Sequence, residues 1–65
     1  MRLKRIIIYP KDVQRITGKS ERYGRQLIRN IKNTLHKEDH QCITITEFSN
    51  YMGLDSSDVE QFITD

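Results

Sequence analysis

Between Ser20 and His36 the apolar and basic residues separate into two stripes of helical period. At about 100° per residue, Tyr23, Gly24, Leu27, Ile28, Ile31 and Leu35 fall in one arc. Arg22, Arg25, Arg29 and Lys32 fall in a second arc on the other side. Ser20 is a good N-cap, so the pattern predicts a helix over 21–36. In a chain of 65 residues that apolar arc has to be the spine of the core. A chain this short buries only about 60% of its unfolded surface, which leaves no room for a deep, dry cleft.

The remaining elements follow from caps and stops. Leu3 to Tyr9 is β-branched and bounded by Pro10, and reads as a strand. Pro10 suits the first helical position and Asp12 the first turn. Ile8 and Val13 then flank the helix start as a hydrophobic staple. This predicts a helix over 10–17 that buries Val13 and Ile16 and stops at Gly18. Gly24 lies in the apolar arc of the longer helix, where it costs about 1 kcal/mol against Ala. The expectation is that the first helix crosses closely there.

Lys37 to Gln41 is polar and predicts a loop or wing-like turn. Gln41-Cys42-Ile43 is the other β-prone run, so a short two-stranded pairing of 3–9 with 41–43 is expected, with Cys42 as a small core residue. Thr44 and Glu47 form a capping box, with Ile43 and Phe48 as its staple, which predicts a helix over 45–52 ending at Gly53. Leu54 and Val59 repeat the staple around an Asp55 N-cap, which predicts a last helix over 56–63 facing inward with Val59, Phe62 and Ile63. Tyr23, Phe48 and Tyr51 are expected in the core. The fold class is therefore mainly α, one domain over 1–65.

Charge is divided along the chain. All eleven Lys and Arg lie between Arg2 and Lys37, opposed there by Asp12 and Glu21 alone, for a formal +9. Residues 38–65 carry seven acids and no base, so the net +2 hides the split. Such segregation says that the basic half faces a polyanion, and phosphate backbone is the first to test. The lone Cys42 excludes an internal disulfide and fits a reducing cytoplasm. Ile6-Ile7-Ile8 is far shorter than a signal h-region, and no run approaches the about 20 apolar residues of a membrane span.

Asp12 to Ser20 (Asp-Val-Gln-Arg-Ile-Thr-Gly-Lys-Ser), with Leu27 beyond it, resembles the first helix and turn of a helix-turn-helix. The resemblance extends, more loosely, to small MerR-like and phage excisionase-like regulators, which carry a helix-turn-helix, a short β element and further helices. The chain also looks like a group of small bacterial proteins that share a Tyr-Pro-Lys-Asp-Val start and a Thr-x-x-Glu-Phe third helix. Gln14, Lys19 and Gly24 depart from the helix-turn-helix pattern, which prefers Ala, an apolar and a β-branched residue there. The likeness implies a transcriptional regulator or recombination accessory factor reading duplex DNA with the helix after Ser20.

On that reading Arg22 and Arg25 would meet guanine edges and Gln26 adenine. Lys11, Arg15, Lys19, Ser20, Arg29 and Lys32 would hold the DNA backbone, the helix start being a ready anion site. One helix reads few base pairs, so useful specificity calls for a homodimer or cooperative neighbours. The alternative is a protein-interaction module without nucleic acid, its acidic C-terminal helices docking a basic partner or the basic half of a second copy. No enzyme is expected. Gly18-Lys19-Ser20 imitates a P-loop end, but position 13 is Val, not Gly. His36, His40 and Cys42 fall one short of the four ligands of structural zinc, so neither metal nor cofactor is expected.

Overall fold

The computed structural model describes residues 6–63. Among them α1 (Pro10–Thr17), α2 (Glu21–Thr34), α3 (Ile45–Met52) and α4 (Ser56–Glu60) follow in order, and the fold is mainly α. The first and third helices take the limits their caps predict. Pro10 opens α1, and the Tyr9 N–H donates to Asp12 Oδ2 at 2.8 Å. Asp12 Oδ1 accepts from Arg15 Nη1 at 3.2 Å. With these partners Asp12 is 1% exposed, a burial that would be costly for an unpaired carboxylate. Its role is thus larger than that of a favourable first-turn acid.

Gly18 ends α1 at φ 73, where its N–H donates to the Gln14 carbonyl at 2.9 Å. Lacking a Cβ, it takes this left-handed conformation without strain. Ser20 Oγ then accepts from the Tyr23 N–H at 3.1 Å and starts α2. Gly24 is buried, and a Cβ there would stand 2.6 Å from the Pro10 carbonyl oxygen. The close crossing predicted at Gly24 is present, and it falls on the first residue of α1.

Helix α2 stops at Thr34, two residues before the predicted end. His36 turns left-handed at φ 59. Its N–H donates to the Asn33 carbonyl at 3.2 Å, and the Lys37 N–H to that of Lys32 at 2.9 Å. This pair of bonds is a Schellman closure, made here by a residue for which the conformation costs about 1–2 kcal/mol. Leu35 therefore leaves the apolar arc and is exposed. The reversal lets Lys37 Nζ donate to the Cys42 carbonyl at 2.7 Å and to Glu47 Oε1 at 2.6 Å. A tight turn over 38–41 closes between them, with the Gln41 N–H on the Glu38 carbonyl at 3.0 Å.

The predicted two-stranded pairing contracts to one antiparallel bridge, Ile7 with Thr44. The Ile8 N–H donates to the Ile43 carbonyl at 2.9 Å, and the Ile45 N–H to that of Ile6 at 2.7 Å. Pairing is thus centred on 43–45, and Gln41 and Cys42 lie outside it. It cannot lengthen, because α1 begins at Pro10 and Thr44 already caps α3. The predicted strand residues 3–5 lie outside the described residues. Thr44 and Glu47 make the expected reciprocal cap, each backbone N–H 3.0 Å from the other's side chain.

Helix α4 is shorter than the predicted 56–63. Past Glu60 the chain tightens into turns, Phe62 N–H to Val59 carbonyl at 2.9 Å and Ile63 N–H to Glu60 carbonyl at 3.1 Å. The core collects Ile8, Val13, Ile31, Ile43, Ile45, Phe48, Val59 and Ile63, with Ile16, Leu27, Ile28 and Met52 packed against it. Three expected members are exposed instead: Cys42, Tyr51 and Phe62. Neighbours in extended chain face opposite ways, so burying Ile43 turns Cys42 out. In α3 the inward arc passes through Ile45, Phe48, Ser49 and Met52, and Tyr51 flanks it. Phe62 flanks the Val59–Ile63 face in the same way.

Replacing Gly24 by Ala adds helix propensity of about 1 kcal/mol, yet the new Cβ meets backbone, which cannot rotate aside. A net loss of about 1–3 kcal/mol is expected from the displaced helix, read by urea denaturation. A second expectation concerns acid. The Lys37 hydrogen bond, followed by that of the Thr44 N–H, holds the Glu47 carboxyl below its ordinary range. A depressed folded pKa stabilises the fold above the unfolded value and is lost as pH falls through the folded one. The gap in melting temperature between the native protein and Glu47→Gln should therefore be widest near neutrality. It should close on acidification below about 4.3.

Candidate nucleic-acid interface

Helix α2 buries Gly24 and Ile31 and half-buries Leu27 and Ile28. The opposite face is fixed by that choice. Arg22, Arg25, Gln26 and Arg29 are exposed there and together line one shallow depression. The sequence-based base readers and one of the backbone contacts are thus neighbours on a single surface. Among the described residues Arg22 and Arg29 have no ion-pair partner.

The other two members are engaged within the helix. Arg25 Nη1 lies 3.1 Å from Glu21 Oε2, one turn back, with both side chains open to solvent. Gln26 Nε2 donates to Asn30 Oδ1 at 3.0 Å. An amide carries two N–H donors and a carbonyl acceptor. The second N–H and Oε1 are the pair that adenine N7 and N6 would take.

The expected backbone contacts are more dispersed. Ser20 Oγ spends an acceptor site on the cap, while its hydroxyl proton can still point outward to an anion. The Lys19 ammonium sits 5.8 Å from the Tyr23 ring centroid, within cation–π range, and Tyr23 is half-buried rather than a core residue. Arg15 is held by Asp12, and Lys11 is exposed on the same helix. Lys32 Nζ donates to the Asp39 carbonyl at 2.9 Å and so ties α2 to the 38–41 turn. It is half-buried, and part of its role is in the fold.

Two functional-looking features of the sequence have a plain place in the fold. Gly18-Lys19-Ser20 joins two helices, whereas a P-loop needs a strand before it. His36, His40 and Cys42 are all exposed, and among the described residues no three His, Cys, Asp or Glu side chains gather as metal ligands. No helix there is long and apolar enough to cross a membrane. Lys37 and Asp12, to which the sequence pattern assigns no site role, are structural ties. Asp12 has a local signal, its place three residues after the N-cap; Lys37 and Glu47, ten residues apart, have none.

Comparison of the chain with protein-family models, curated proteins and solved structures finds no match.

If the cations on α2 serve no purpose in the fold, removing them should not lower its stability. Arg22→Ala and Arg29→Ala are expected to stay within about 0.5 kcal/mol of the native protein. Ser20→Ala, which deletes a cap, should cost about 1 kcal/mol. Chemical denaturation separates the two classes.

Proposed function

We propose that this chain is a small duplex-DNA-binding protein that lays the exposed face of α2 in the major groove. The observation that carries the reading is the row of Arg22, Arg25 and Arg29 with Gln26, opposite the buried arc, in which two guanidinium groups have no ion-pair partner among the described residues. A helix face that is merely solvated usually mixes signs at three- and four-residue spacing. Here Glu21 alone opposes the row. Arg22, Arg25 and Gln26 are the proposed base readers. Arg29 and Lys32 further along the helix, with Lys19 and the Ser20 hydroxyl at its start and Lys11 and Arg15 on α1, are the proposed phosphate contacts.

The α1–turn–α2 unit, with a three-residue link, has the proportions of a helix-turn-helix, and we place the chain with small regulators or recombination accessory factors of that kind. A binding protein needs no cofactor, and a single exposed thiol suits the cytoplasm, where such a thiol stays reduced. One recognition helix specifies few base pairs, so a dimer or neighbouring copies would complete a site.

Titration of labelled duplex DNA at several salt concentrations tests this. With roughly four to six phosphates neutralised, log K should fall against log salt with a slope of roughly −4 to −5. Arg25→Ala should relax sequence preference, while Lys32→Ala should weaken all sequences alike and reduce the slope by about 1. Glu21→Gln, which releases Arg25, should tighten binding. No binding at low salt would rule the proposal out.

A further inference from the structure

A groove of about 380 Å³ runs beside the recognition face, between the N-terminal segment, α2 and the 39–43 loop. Ile7, Pro10, Ile28 and Ile43 give it an apolar floor, and Arg25, Arg29 and Lys32 line its α2 side. Asp39 is the one acid among its lining residues, and the carbonyl of that residue already holds Lys32. An occupant must therefore offer apolar surface and carboxylates together.

The opposite end of the chain carries that combination. Tyr51, Leu54 and Phe62 are 43%, 42% and 44% exposed, and they stand among Asp55, Asp58 and Glu60, all exposed. Asp58 lies on α4, Asp55 caps its start and Phe62 follows just past its end, so the three border one short element. Among the described residues none of these three acids has a basic partner, and Glu47 with Lys37 is the only ion pair joining the basic half to the acidic half. On the groove side Arg29 likewise has no acidic partner among the described residues, whereas Arg25 is shared with Glu21 and Lys32 with the Asp39 carbonyl.

We propose that the acidic, aromatic face around α4 of one copy docks in the basic, apolar groove of a second. Phe62 enters the apolar floor while Asp55 and Asp58 meet Arg25, Arg29 and Lys32. The two surfaces differ, so the contact is heterologous and adds copies head to tail without closing. A groove of this size takes little more than one aromatic side chain, so the association is weak and dependent on ionic strength. Arg25 and Arg29 line both the groove and the outer face of α2, so a docked neighbour competes for the groups proposed to read DNA. The association itself does not depend on that reading.

Sedimentation equilibrium of the native protein, Arg29→Glu and Phe62→Asp tests it, with circular dichroism to confirm that each variant is folded. The native protein should gain mass with concentration at about 0.01 M salt and do so at least about tenfold more weakly at about 1 M, where the Debye length shrinks from about 30 Å to about 3 Å. Each variant alone should be monomeric, one lacking a groove and the other a docking face. Mixed in equal amounts they should form a dimer and nothing larger, because only one good surface of each kind remains. If Phe62→Asp loses its helical signal, Asp58→Arg takes its place. A native protein that stays monomeric at low salt, variants that associate as it does, or a mixture that remains monomeric would overturn the proposal. A failure of DNA binding alone would leave these masses unchanged.

Discussion

The approach of Gly24 to the Pro10 carbonyl is the contact on which the rest of the molecule turns. A 14-residue helix cannot bury its apolar arc by itself, and α1, of 8 residues, is too short to cover it from a distance. Removing one side chain lets the start of α1 sit directly on α2. Pro10 is fixed at that point, and Ile8, two residues earlier, is thereby delivered to the Ile43 carbonyl. The bond between them fastens the second half of the chain to the first. Lys37 ties the same junction from the other side through Glu47 and the Cys42 carbonyl. The core is then shared by all four helices and the bridge, with no single element holding a separate cluster.

Much of this is legible in the sequence because local chemistry writes it there. Caps carry their own spacing, so Pro10, Ser20, Thr44 with Glu47, and Asp55 mark four helix starts. Gly18 and Gly53 mark two ends. The two misplaced ends lack such a marker: His36 turns left-handed without being glycine, and the chain after Glu60 tightens without a stop residue. Exposure is harder to read than helicity, because a two- or three-residue inward arc leaves its flanking residues half out. Tyr51, Phe62 and Leu35 are all flank or end positions of that kind. The 37–47 tie depends on how the turn at 38–41 folds back, which no local pattern encodes. On α2 the residues of the candidate face are legible together because one helix carries them all; the contacts spread over α1 and the turn are not.

The exposed row on α2 is hard to account for as a product of folding alone. Arg22 and Arg25, Arg25 and Arg29, and Arg29 and Lys32 are spaced three or four apart, and each like-charged pair of that kind costs a helix about 0.2–0.5 kcal/mol. Glu21 relieves only the first turn, and an exposed pair such as Glu21–Arg25 contributes at most about 1 kcal/mol. A protein with so small a core has little stability to spare. At physiological salt the screening length of about 8 Å exceeds the spacing along the row, so the repulsion is not removed by solvent ions. Substituting Arg22 or Arg29, both exposed, with Glu would relieve it at no cost to packing. The proposed polyanionic partner would account for such a row beside an acidic half that leaves it almost unopposed, because the charge that strains the free helix is the charge such a complex would use.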